Sequence, residues 1–283
     1  MMNSVIDTFQ LYNGVEIPCV GIGTYQANNA TTKDAVLAAL ALGYRLIDTA
    51  AAYGNELGVG NAIKACGLKR EEVFVTSKLR NAHHGYAATM EAFEKTMEKL
   101  GLEYLDLYLV HWPIPVQYRS TWKPAMQGTW RAFEELYKAG RIRAIGVSNF
   151  MPHHIEALME TAEIKPMVNQ LKLCPGITQP EIVKYCREND IVVEAYSPFG
   201  QGAIFENETM QKLSAKYQKS IAQLCLRWCL QMGFVSLPKS ANPMRIKSNA
   251  EIFDFELSSE DMELIAGLSG SCGEAPDSDN IMF

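Results

Sequence analysis

No stretch of the 283 residues approaches the roughly 18 consecutive apolar positions of a membrane-spanning helix, so a transmembrane anchor is not expected. Basic charge is scarce too. Lys and Arg number 26 against 32 Asp and Glu, a net charge of -6, which argues against a strongly basic surface for nucleic acid but leaves room for a local basic patch. Residues 1–8 lack a basic, then apolar, leader, and a cytosolic location is the expectation. The seven cysteines, an odd number, are scattered without paired zinc-ligand spacings, which points to reduced thiols. Cys225 and Cys229 lie one helical turn apart around Trp228 and read as a buried helix face. A low-complexity linker is missing as well. One α/β domain over residues 1–283 is therefore expected.

What is present is alternation. After a small hairpin at residues 11–19 around Asn13-Gly14, short apolar strand patterns occur at 19–22, 45–48, 73–77, 105–110, 144–147, 167–170, 192–195 and 234–236. Helical patterns fill the intervals at 32–42, 56–66, 85–100, 129–138, 153–161, 179–188 and 209–217, with 221–231 as an extra segment and 243–249 and 259–268 after the last strand. Nearly continuous apolar strands suit a sheet covered on both faces, and helices between them imply parallel crossovers. A closed (β/α)8 barrel, a TIM barrel with an N-terminal hairpin and extra C-terminal helices, is the first choice. A doubly wound sheet is the runner-up, although Gly21-Ile22-Gly23 lacks the third glycine of its phosphate loop. The polar, acidic segment 270–283 is either mobile or folded over the site.

Asp48, Tyr53, Lys78 and His111 fall at or just past the ends of the second, third and fourth strand patterns, and such ends gather at one mouth of a parallel barrel. Taken singly, a helix-capping aspartate, a packed tyrosine and a loop histidine are the duller readings. Together they make a proton-transfer set. A tyrosine is a poor acid near neutrality unless a cation stabilises its phenolate, and Lys78, aimed by Asp48, supplies that cation, which lowers such a pKa by about 1 to 3 units where desolvation does not cancel the gain. His111 would orient a carbonyl oxygen while Tyr53 donates the proton. Lys239-Ser240 with Arg245 form a donor cluster ahead of a helix, suited to a phosphate dianion. For the remaining histidine pairs, His83-His84 and His153-His154, no acidic or cysteine partners complete a ligand set, and adjacent helical residues do not face each other, so no metal is assigned.

Several ordered segments resemble the aldo-keto reductase family across nearly the whole chain: Gly21-Ile22-Gly23-Thr24-Tyr25, residues 43–50 with Tyr53-Gly54-Asn55-Glu56, Thr76-Ser77-Lys78, Leu109-Val110-His111-Trp112-Pro113, residues 146–150 and Leu237-Pro238-Lys239-Ser240. The resemblance implies a (β/α)8 reductase using NADPH, with Asp48, Tyr53, Lys78 and His111 as the catalytic set and Tyr53 as general acid. It implies that Ser148, Asn149 and Gln170 hold the nicotinamide amide, that the ring stacks on Tyr196 with Ser197 beside it, and that Lys239, Ser240 and Arg245 take the adenosine 2′-phosphate. Asn249 matches an adenine contact, and Ser248 stands where many members carry glutamate. Tyr25 and Trp112 match substrate-lining positions, Tyr25 replacing a frequent tryptophan. Tyr118 and Trp122, in the long loop after the fourth strand, are either a movable wall of the pocket or packing against the barrel. Pro198-Phe199-Gly200-Gln201-Gly202 is either a loop closing over the pyrophosphate or a set of ordinary turn residues.

The expected partner is a small carbonyl compound, with no nucleic acid and no membrane, and the chain is expected to be a monomer. Two other functions stay open on the residues alone. Lys78 fits a Schiff-base aldolase, and the same barrel without turnover would be a noncatalytic NADPH-sensing subunit.

Overall fold

The computed structural model describes residues 2–283. Strands β1 (Thr8–Gln10) and β2 (Glu16–Pro18) pair antiparallel. Gly14, at φ +85°, supplies the left-handed position that their turn requires. The hairpin begins three residues earlier than its apolar pattern suggested, because Thr8 pairs with Pro18.

Eight parallel strands follow: β3 (Gly21–Gly23), β4 (Leu46–Asp48), β5 (Phe74–Leu79), β6 (Leu105–Val110), β7 (Ile142–Ser148), β8 (Val168–Lys172), β9 (Val192–Tyr196) and β10 (Val235–Leu237). Each pairs with its neighbour in chain order. Bridges from Val20 to Ser236 and from Gly23 to Lys239 bring the first strand back to the last, with Gly23 N–H donating to Pro238 O at 2.9 Å. The result is a (β/α)8 barrel. Its strands are apolar almost throughout because both faces are covered, and every residue of β4, β5 and β6 is buried.

The covering helices are α1 (Asn29–Ala41), α2 (Glu56–Ala65), α3 (Tyr86–Leu100), α4 (Trp122–Lys138), α5 (Pro152–Met159), α6 (Pro180–Glu188), α7 (Glu208–Tyr217), α8 (Ile221–Gln231), α9 (Pro243–Ala250) and α10 (Ser259–Ala266). Helix α4 starts at Trp122 rather than at Thr129. Pro124 lies in the first turn, where no backbone N–H is needed, so the helix runs through it. Trp122 therefore leaves the loop in which the sequence placed it. Its ring meets the His154 ring edge-on at 5.5 Å, away from any role as a movable wall. Tyr118 likewise packs inward, stacked on His84 at 5.4 Å with its hydroxyl donating to Ala82 O.

Candidate active site

Parallel register brings the ends of β4 and β5 level, Asp48 pairing with Thr76. Alternation then turns Asp48 and Lys78 into the barrel, where they are 4% and 0% exposed. Lys78 Nζ donates to both Asp48 oxygens, at 2.7 and 2.6 Å, and to Thr49 O at 3.0 Å. Three N–H groups thus meet three acceptors. Burial alone would depress this ammonium, but Asp48, Tyr53 and Glu194 together hold it above its ordinary value.

Tyr53 closes a short turn after β4, its N–H bonded to Ala50 O, and Gly54 at φ +70° reverses the chain behind it. Buried Asn55 ties that turn to the β3 loop by donating to Thr24 O and Ala27 O and accepting from Thr49 Oγ1. Lys78 Nζ lies 5.2 Å from the Tyr53 ring centroid. The expectation of an acidified phenol is corrected here. Burial raises the Tyr53 pKa and outweighs the lowering by Lys78, so the hydroxyl keeps its proton at neutral pH. The Tyr53 ring also meets the rings of His111, at 5.9 Å, and Tyr25, at 5.0 Å, both edge-on. Burial, reinforced by the Lys78 charge, pulls His111 down to about 3, leaving a neutral imidazole with one donor and one acceptor.

A second cluster lies at the ends of β7, β8 and β9. Ser148 Oγ donates to Gln170 O, and Asn149 Nδ2 donates to Ser148 Oγ and His111 O. Tyr196 OH donates to Asn149 Oδ1 at 2.9 Å. Asn149 sits at φ +62° and Ser197 at φ +52°, left-handed conformations that asparagine tolerates better than most residues. Gln170 Nε2 donates both of its hydrogens, to Asp48 Oδ2 at 2.9 Å and to Glu194 Oε2 at 2.8 Å. The amide atom against the Asp48 carboxylate, which is paired with Lys78 and can only accept, must be the nitrogen, so Gln170 Oε1 is the atom left to face the opening.

Past β10, Lys239 and Arg245 are exposed, whereas Lys247 of the same helix approaches Glu251 at 4.0 Å. Asn242 caps α9 by accepting from Met244 N and Arg245 N. Beside it Ile22, Tyr44, Pro238, Ser240, Ile246 and the buried Asn249 close around a gap too narrow to admit a water molecule. Exposed cations beside a helix start suit a phosphate group.

The tail folds back over this end of the barrel. Phe283 meets the Trp112 ring edge-on at 5.4 Å, Arg119 donates to Ile281 O, and Lys172 donates to Glu274 O. Asp279 receives His154 Nε2 and His153 Nε2, each at 2.9 Å. The acidic partner that these histidines lack in sequence thus arrives from 125 residues away. Their rings, 4.0 Å apart, converge on it from the first turn of α5. His154 Nδ1 accepts from Met151 N–H, and burial first, then His153, lowers this histidine to about 4, so the neutral ring carries its proton on Nε2. That arrangement is a hydrogen-bonded latch on the tail.

Residues 19–269 match the model of the Aldo/keto reductase family. The chain belongs to that family. The reductase is 50% identical to a glyoxal reductase of Bacillus subtilis (strain 168), over all of both chains. It is 42% identical to a 9,11-endoperoxide prostaglandin H2 reductase of Trypanosoma cruzi, over 99% of this chain and 97% of the relative. Among solved structures, an aldo-keto reductase from a Medee basin deep-sea metagenome library superposes with a TM-score of 0.92 at 42% identity, over 98% of this chain and 100% of that one. A Bombyx mori aldo-keto reductase in complex with NADP gives 0.87 at 34% identity, over 96% and 94%. The reductase is accordingly an oxidoreductase on a (β/α)8 barrel.

Two residues of the site escaped the sequence reading. Glu194 is a lone acid inside the apolar strand β9, a visible signal, whereas Asp279 lies in a polar tail with nothing to mark it.

Proposed function

We propose that this reductase converts aldehydes and ketones to alcohols with NADPH, Tyr53 giving the proton to the carbonyl oxygen. The observation that carries the reading is the Tyr53 ring set 5.2 Å from the ammonium of a lysine locked on Asp48. Bound NADPH would supply the hydride for the carbonyl carbon. As that bond forms, negative charge grows on the oxygen, and Tyr53 transfers its proton there. Lys78 stabilises the resulting phenolate, which solvent reprotonates. Neutral His111 donates a hydrogen bond that orients the carbonyl, and Tyr25 and Trp112 wall the substrate.

Gln170 Oε1 is the acceptor available to the nicotinamide amide. Ser148 and Asn149 are bonded among themselves and would exchange a partner to join it. The Tyr196 ring offers the stacking face beside Ser197, Lys239, Ser240 and Arg245 suit the 2′-phosphate, and Asn249, buried behind Ser240, would meet the adenine. We read the enzyme as one domain acting as a cytoplasmic monomer on a small carbonyl compound. No helix among the described residues is long and apolar enough to cross a membrane.

A Schiff-base role for Lys78 needs a neutral amine, whereas all three of its N–H groups are held and its pKa is raised. Consumption of NADPH absorbance by simple aldehydes and dicarbonyls tests the reading and also separates it from a noncatalytic sensor. Tyr53→Phe should lower turnover about 10²- to 10⁴-fold with NADPH affinity within about twofold of wild type. Near-normal turnover in that variant rejects Tyr53 as the donor.

A further inference from the structure

Glu194 is a fully buried carboxylate to which the chemistry above gives no task. On β9 it stands in register with Gln170 of β8. Its Oε2 accepts from Gln170 Nε2, and its Oε1 meets no partner. Burial and then the Asp48 charge push this group up to about 8, so near neutrality it is a protonated acid, and a buried polar oxygen without a partner is costly even so. An arrangement that unfavourable persists where it fixes something else.

What it fixes is the amide of Gln170. A side-chain amide held by one acceptor can turn by half a rotation and present either its oxygen or its nitrogen to a ligand. With one acceptor on each hydrogen, Asp48 on one and Glu194 on the other, the nitrogen is captured and the oxygen must face outward. We propose that Glu194 is a positioning residue for the cofactor: it holds Gln170 so that Oε1 accepts from the carboxamide NH2 of the nicotinamide. The inference rests on the placement of nicotinamide proposed above. It makes Glu194 a determinant of which way round the carboxamide binds, and hence of which ring face meets the substrate.

The test compares two dinucleotides that differ at that one group: NADP+ and its 3-acetylpyridine analogue, in which a methyl replaces the carboxamide NH2. Affinities are read from quenching of tryptophan fluorescence, without turnover. The wild-type enzyme should bind NADP+ about three- to tenfold more tightly than the analogue, the worth of one neutral hydrogen bond. Glu194→Gln keeps an acceptor of the same reach and should keep that ratio. Glu194→Met and the smaller Glu194→Val remove the acceptor, and their ratio should fall to about one. Adenosine 2′,5′-bisphosphate, which lacks the nicotinamide half, should bind all variants equally and identifies which of the two apolar variants has folded.

A wild-type ratio retained in a folded Glu194→Met or Glu194→Val overturns the proposal, as does a ratio lost in Glu194→Gln. A ratio near one in the wild-type enzyme itself, with the bisphosphate bound normally, shows instead that the carboxamide is not seated at Gln170. That outcome removes the parent reading of the site together with the inference.

Discussion

Replacing Lys78 by methionine separates what the ammonium does for the fold from what it does for the chemistry. Lys78 is fully buried and donates at 2.7 and 2.6 Å to Asp48, itself 4% exposed. Methionine fills nearly the same volume, so little of the cost comes from a cavity. The cost comes from Asp48, whose carboxylate keeps only Gln170 Nε2 as a side-chain donor and still faces Glu194. Removing one partner of a buried pair costs about 3–5 kcal/mol, mostly for the charge left behind. The double variant Asp48→Asn/Lys78→Met leaves no charge stranded and should recover about 2–4 kcal/mol of that loss. Activity should behave oppositely: single and double variants alike should lose about 10²- to 10⁴-fold in turnover, because neither stabilises the Tyr53 phenolate. Urea denaturation at pH 7, followed by tryptophan fluorescence with an unchanged slope, measures the first quantity, and NADPH consumption the second. A single variant within about 1 kcal/mol of wild type, or a double variant no more stable than the single, refutes the reasoning.

Burial, with a contribution from Asp48, raises Glu194 to about 8 against the opposing Gln170 hydrogen bond and Lys78 charge. Between the ordinary glutamate value and about 8 the folded protein therefore holds a proton that the unfolded chain has lost, and stability falls as pH rises through that window, by at most roughly 5 kcal/mol. Glu194→Gln should flatten that decline in urea titrations at pH 5, 7 and 9, and parallel curves would contradict the burial argument. Carbonyl reduction should show no inflection between pH 5 and 7 from His111, held near 3, and should decline only above the ordinary tyrosine value as Tyr53 loses its proton. A break in that range that vanishes in His111→Asn would count against the neutral imidazole. Asp279→Ala removes the acceptor shared by His153 and His154. Amide exchange over residues 277–283 should then speed up roughly tenfold, and KM for the carbonyl substrate should move with NADPH affinity unchanged. Unaltered exchange would mean that the contacts of Asn81, Trp112, Arg119 and Lys172 hold the tail without Asp279.

The barrel was legible because its strands announce themselves twice, as short apolar runs and as members of an alternating series. Strand β6 and helix α8 run over the residues their patterns marked, 105–110 and 221–231. Helix α4 starts ahead of the pattern at 129–138, and its first turn accepts Pro124 because no backbone N–H is needed there. The grouping of Asp48, Tyr53, Lys78 and His111 was legible for a related reason, since topology sends every strand end to the same mouth, where Lys78 pairs with Asp48 and the Tyr53 ring meets His111.

Residue types and their spacing settle which groups reach the mouth and which chemistry they are capable of, because backbone alternation and strand order follow from local pattern. The protonation of those groups is decided elsewhere. Whether Lys78 acidifies Tyr53 depends on how completely the barrel excludes water, and burial wins. Whether His153 and His154 stand idle or hold the tail depends on a residue 125 positions away. Both are balances between desolvation and contacts distant in sequence, and such energies exist only once the chain has closed on itself.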